Sequence, residues 1–183
     1  LDELREKLEH RLARVSGVLR EANVPHAVIG GHALAAWVSR ADPSLVRQTR
    51  GIDILLARSD LEPARLAREA AEFHYRHVAG MDLFLESPDG RAGDGVHVAI
   101  AGEKVRPDEP VANPPVEVDP GSASFNVIPL QSLVQMKLTA YRRKDQVHLL
   151  DLIGAGLVDQ SWPNRFSAVL AGRLQALLND PDG

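Results

Sequence analysis

Apolar positions at three- and four-residue steps open the chain: Leu1, Leu4, Leu8, Leu12, Val15 and Leu19, with Glu and Arg between them. That spacing predicts one helix with an apolar stripe and a solvated charged face. Asn23-Val24-Pro25 ends it, because proline cannot continue a helix and restricts the residue before it. The pattern then changes. Two β-rich runs, Ala27-Val28-Ile29 and Ile52 with Ile54-Leu55-Leu56, flank a short helical run from Ala33 to Val38. Gly30-Gly31 joins the first strand to that helix, and Trp37 within it reads as core.

Ser59-Asp60 has the look of a helix N-cap, with Pro63 in the first turn and a modest packing face from Leu61 to Ala71. Phe73–Val78, Met81–Glu86 and Val96–Ile100 follow as three short strands. Ala79-Gly80 and Ser87-Pro88-Asp89-Gly90 separate them as hairpin connections do. Strands joined so tightly are antiparallel neighbours, which predicts a mixed sheet. Residues 102–124, with prolines at 107, 110, 114, 115 and 120, read as loop. Phe125–Ile128 adds a last short strand. A helix over Leu130–Arg143 follows, then Lys144, His148 and Asp151 on one helical face, and a final core stripe of Phe166, Val169, Leu170, Leu174, Leu177 and Leu178. The expectation is an α/β (α+β) protein: a mixed sheet flanked by helices over residues 1–124, and a helical part over 125–183 packed on it.

Composition narrows the function classes. The chain has 183 residues and is 44% hydrophobic, enough for one core with a helical extension. It has no cysteine, which excludes a disulfide scaffold and a thiolate zinc site and fits a reducing, cytoplasmic setting. No apolar run approaches the ~20 residues of a membrane helix. No basic–apolar leader opens the chain, and its start at Leu1 rather than methionine points to a longer natural N-terminus. A net charge of −4 gives no bulk reason to expect nucleic-acid binding.

The candidate chemistry gathers around residues 27–56. Gly30-Gly31 permits a tight turn and close backbone approach to a ligand, and the helix behind it directs free N–H groups outward, as phosphate sites require. Asp53 sits in an otherwise apolar strand, where an unpaired carboxylate is costly to bury. His32, in the first turn, either contacts a phosphate or faces water. Arg40, Arg47 and Arg50 on the loop before Asp53 suit a triphosphate or an ordinary solvated loop. Further on, Lys137 falls near the middle of the apolar stripe of its helix, so it must snorkel, pair with an acid or face a polar cleft.

Gly30-Gly31 followed by Arg47-Gln48-Thr49-Arg50-Gly51-Ile52-Asp53 resembles the nucleotidyltransferase superfamily related to DNA polymerase β, in particular its small bacterial toxin–antitoxin and abortive-infection members. Their pattern is a strand into Gly-Gly or Gly-Ser, a helix, then Arg-x-Thr-x-Asp-hydrophobic-Asp. The family's first metal-binding aspartate falls on Gly51, leaving Asp53. Its third carboxylate falls either on His97, in Val96-His97-Val98, or on Asp82, one strand earlier. The run from Met136 to Asp145 resembles the helical half of the abortive-infection-type members, where a lysine and a later Lys/Arg-Asp pair help form the nucleotide cleft.

The resemblance implies binding of a nucleoside triphosphate with Mg²⁺ or Mn²⁺ and transfer of its monophosphate to an RNA or protein hydroxyl. Gly30, Gly31, His32, Arg47, Thr49, Arg50 and Lys137 would hold the nucleotide. Asp53, with Asp82 or His97, would hold metal, and Asp145 would orient Lys137 or substrate. Hard ions prefer oxygen ligands, so a histidine would favour Mn²⁺ over Mg²⁺. Gly51 favours the alternative, a catalytically silent nucleotide-binding or protein-interaction module, with a partner protein as the source of any missing group.

Overall fold

A computed structural model describes residues 2–183. Leu1 and the side chain of Leu4, two positions of the first predicted stripe, lie outside what is described. Helix α1 (Asp2–Glu21) buries Leu12, Val15 and Leu19, and Asn23 in the left-handed region (φ 54°) turns the chain toward β1 (Ala27–Ile29). Helix α2 (Gly30–Ala41) follows without a linker, and β2 (Ile52–Leu56), α3 (Leu61–Ala70), β3 (His74–Val78), β4 (Met81–Leu85) and β5 (Val96–Ile100) complete the first part. Helices α4 (Leu130–Ala140), α5 (Arg143–Gly154) and α6 (Ala168–Asn179) complete the second.

The five strands form one mixed sheet in the order β1-β2-β5-β4-β3. Only β2 and β5 run parallel; the other three pairings are antiparallel. Side chains alternate between the faces. On one face Val28, Ile52, Ile54, Leu56, Phe84 and Val96 pack against α1 and α3. On the other, Ala27, Ile29 and Leu55 join α2 and the C-terminal helices in a second core. The division expected near residue 125 falls within the irregular stretch between β5 and α4.

Four local expectations need correcting. Asp60 sets no side-chain cap on α3; it adopts helical angles at the end of a short 3-10 turn (58–60), a geometry in which its carboxylate does not reach back to the amides. Phe125–Ile128 forms no full strand: Val127 makes a single parallel bridge to Val28. The helix predicted to Arg143 breaks at Tyr141, which is left-handed (φ 47°, ψ 33°), with its hydroxyl held by the carbonyl of Arg173. Val169 is exposed, because α6 starts only at Ala168 and Leu170, Leu174, Leu177 and Leu178 supply its buried side. One buried group had no sequence signal. Arg68 of α3 is fully enclosed, its guanidinium lying 4.2 Å from the ring centre of Phe73 and 4.6 Å from that of Phe84, and burial pushes its pKa down to about 9.

Candidate active-site cleft

The turn after β1 is built by contact as much as by conformation. Gly30 has φ +65°, and a Cβ there would stand 2.5 Å from Oδ2 of Asp53; a Cβ on Gly31 would stand 2.6 Å from Oγ1 of Thr49. A side chain at either position would have to displace Asp53 or Thr49, so the start of α2 lies directly against the carboxylate of β2. Asp53 shares a face with Leu55, the face covered by α2 and the C-terminal helices. It therefore opens into a cleft of about 630 Å³ between the sheet and α4–α5, lined also by Gly30, Gly31, Thr49, Gly51 and Lys137.

Register places the two candidates for the third ligand on opposite faces of the sheet. His97 pairs directly with Asp53 across the parallel β2–β5 ladder, so both point to the cleft side. Asp82 pairs with Val98 and shares its side with Phe84, which packs under α1 and α3. The sheet separates Asp82 from Asp53, and the assignment of Asp82 to a shared metal site is corrected on that ground. Its carboxylate instead accepts hydrogen bonds from the Tyr75 hydroxyl and from Nδ1 of His77 (2.8 Å). Burial alone would raise the Asp82 pKa, and these two bonds hold it below the usual range. The two tautomers of His97 are distinguished by its surroundings: Nε2 lies 2.7 Å from the carbonyl of Ala92, so Nε2 carries the proton and Nδ1 keeps a lone pair.

Lys137 and Asp145 come together as a buried pair. The ammonium lies 3.2 Å from Oδ1 of Asp145, and the other carboxylate oxygen accepts from Nε (2.8 Å) and the backbone N–H (3.1 Å) of Arg142. Asp145 thus caps α5 while binding α4, and it fixes the break at Tyr141. Burial pushes the Lys137 pKa down against the pull of Asp145. Burial pushes Asp145 up, but the Arg142 bond and the Lys137 charge leave it below the usual value. Asp145 is thus engaged by Lys137 through one oxygen and by Arg142 through the other.

The remaining candidates separate. Thr49 lines the cleft, whereas Arg47 reaches Asp151 of α5 in a two-point pair (2.5 and 3.1 Å) that ties the 46–50 loop to that helix. Arg50 points away, into a second concavity beside α1 with Arg11, Arg14 and Glu86. His32 is largely buried with Nε2 unpartnered; desolvation lowers its pKa, opposed by the nearby charge of Asp53, and it does not line the cleft. Arg47, Arg50 and His32 are therefore not gathered around one ligand position with Gly30 and Gly31.

Several cleft residues were not assigned to it from the sequence, Glu109, Arg142 and His148 among them. Glu109, on the proline-rich loop, is buried; its carboxylate accepts from the N–H of Val105 and faces Arg106. Arg142 and His148 also line the cleft. The His148 spacing to Lys144 was legible, but not its inward orientation.

The residues present do not fit a two-ion site. Gly51 supplies no ligand, Asp82 is on the far face, and among the described residues no three Asp, Glu, His or Cys side chains are close enough to enclose an ion. Asp53 and His97, paired on the cleft face, are the carboxylate and imidazole that would hold a single ion, and an Nε2–H bond to a carbonyl is the usual way to orient a ligating histidine.

No protein-family model matches the sequence, and no curated protein matches it. Solved structures do. The antibiotic-resistance factor ANT(2'')-Ia aligns over 98% of this chain and 93% of its own, with a TM-score of 0.53 and 15% identity. An antigenic nucleotidyltransferase-like protein from Paracoccidioides brasiliensis aligns over 97% and 90%, with a TM-score of 0.56 and 15% identity. The fold is nucleotidyltransferase-like. Nearly the whole chain enters both alignments, including the C-terminal helices that carry Lys137 and Asp145. Among the described residues, no helix is long and apolar enough to cross a membrane.

Proposed function

We propose that this protein binds a nucleoside triphosphate in the cleft between the sheet and α4–α5, with one divalent ion shared between Asp53, His97 and the phosphates. The observation that carries the reading is the contact of Gly30 and Gly31 with Asp53 and Thr49, facing a wall that holds Lys137, Arg142 and Lys144. A turn without side chains lets phosphate approach the backbone, and the cations opposite neutralise it. The ion would draw on a carboxylate oxygen and an imidazole nitrogen, a donor set that suits Mn²⁺ better than Mg²⁺. Binding without efficient transfer is the primary reading, since glycine stands at position 51 where the family's first metal-binding aspartate falls.

A second reading is transfer of a nucleoside monophosphate to an RNA or protein hydroxyl. His97 beside Asp53 favours it, because one ion would still have two protein ligands. Calorimetric titration with each of ATP, GTP, CTP and UTP, alone and with Mg²⁺ or Mn²⁺, tests the binding. Metal-enhanced affinity, larger with Mn²⁺, is the expected result; failure of all four nucleotides to bind in every condition overturns it. Incubation with α-labelled nucleotide and cellular RNA or protein then separates binding from transfer, label in either acceptor favouring the second reading.

A further inference from the structure

We propose that His148 and Lys144 form an anion subsite on α5 that takes the terminal phosphate of the bound triphosphate, with Nε2–H of a neutral His148 as the donor. The inference rests on the nucleotide reading above and names the residues that select a triphosphate over a monophosphate.

The cations of the α4–α5 wall are not equivalent. Lys137 and Arg142 are both engaged by Asp145, and Arg106 faces Glu109. Lys144 has no acidic partner within salt-bridge distance among the described residues, although it lines the same cleft. His148 lies one helical turn further on, so the two side chains share a face of α5. Asp151, the next acid on that face, is already occupied by Arg47.

The tautomer of His148 follows from its burial. Nδ1 is enclosed and has no hydrogen-bond partner, whereas Nε2 is neither enclosed nor bonded to any described residue. A buried N–H without an acceptor is costlier than a buried lone pair, so the proton belongs on Nε2. His148 lines the cleft, and Nε2 is the ring nitrogen left open to a ligand. Protonation would place a second N–H at the enclosed Nδ1. Burial therefore pushes the pKa down to about 4; Lys137 and Lys144 push the same way, and Asp145 and Asp151 oppose them. At neutral pH the group is an uncharged donor beside one free ammonium, which suits a phosphoryl oxygen.

The experiment compares binding of a nucleoside tri-, di- and monophosphate, and of inorganic tripolyphosphate, to the wild-type chain and to His148→Leu, His148→Gln, His148→Asn and Lys144→Gln. Glutamine places an amide N–H near the Nε2 position; asparagine is too short to do so. The expected result is about a tenfold loss of triphosphate affinity for Leu and Asn, a Gln variant within about threefold of wild type, a loss in Lys144→Gln, and unchanged monophosphate binding. Equal losses for mono- and triphosphate, or no loss in any variant, overturns the subsite. Thermal unfolding checks each variant, and if the leucine chain does not fold, the Gln–Asn comparison carries the same test. Should wild type bind no nucleotide, the nucleotide reading fails. Tripolyphosphate then decides the subsite alone: binding with the same order of variants supports it, and binding indifferent to His148, or none, overturns it.

Discussion

At residue 51 the backbone path of a ligating strand persists without its side chain. Gly51 immediately precedes β2 and lines the same cleft as Asp53, and the space beside it is open: a Cβ there would meet only the carbonyl of Gly93, at 3.7 Å. Gly51→Asp is therefore accommodated and places a second carboxylate beside Asp53. Its expected effect is about tenfold tighter Mn²⁺ or Mg²⁺ binding in the presence of nucleotide, read by calorimetry; unchanged metal affinity would mean that residue 51 does not face the ion. Gly30 is the opposite case. Alanine there faces both a left-handed backbone (φ +65°) and the carboxylate of Asp53 at 2.5 Å. Gly30→Ala should cost about 1–2 kcal/mol of stability from the backbone alone and weaken metal binding as Asp53 is displaced. Thermal unfolding and Mn²⁺ titration measure the two effects separately. Gly30-Gly31 and Asp53 were legible in the sequence because their chemistry is local: glycine where the chain turns, and a carboxylate where the strand should be apolar.

Elements show where that legibility stops. The hairpin between β3 and β4 was readable, since Ala79-Gly80 separates two β-rich runs, and both residues have positive φ (51° and 77°) as a type I′ turn demands. Alanine is strained there, so Ala79→Asn should raise stability by about 1 kcal/mol, or roughly 2–4 °C in Tm for a chain of this size. A thermal scan of the single variant checks it, and a lowered Tm would refute the turn assignment. What the sequence left open was pairing at a distance. Asp82 and His97 both sit between hydrophobic neighbours, and only the register of β5 between β2 and β4 puts one on each face. Lys137 was legible as a buried cation, yet its partner was not. Asp145 reaches it only because the helix breaks at Tyr141 and restarts with Asp145 as its cap. A continuous helix would have put the two residues eight positions apart along its axis, about 12 Å, beyond contact. Arg47 was misread for a related reason, since nothing local indicates a pair with Asp151, 104 residues away.

Across the whole molecule, the histidines held inside the fold set its response to acid. His26 lies within the α1–β1 region, hydrogen-bonded to Ser16 and to the carbonyl of Val24; His32 lies behind Asp53, and His148 in the cleft wall. Burial lowers the pKa of all three below the ordinary 6.5, and His148 falls to about 4. When the folded pKa lies below the unfolded one, the unfolded chain binds more protons in the interval between them, so stability rises with pH across that interval. Stability is accordingly full above about pH 6.5 and declines as pH falls toward about 4. The loss from His148 alone is on the order of 2 kcal/mol once solvent screening of its half-exposed ring is allowed for. Asp145 adds a later loss, because its lowered pKa keeps the Lys137 and Arg142 pairings intact until the carboxylate protonates at still lower pH. Denaturant unfolding from pH 7.5 to 4 measures the slope. His148→Gln removes one titrating group without removing a hydrogen-bonding side chain, so its curve should be flatter between pH 6.5 and 4 than that of wild type. Parallel curves would show that His148 protonates in the folded chain as readily as in the unfolded one, and so that its ring is not held as the cleft geometry requires.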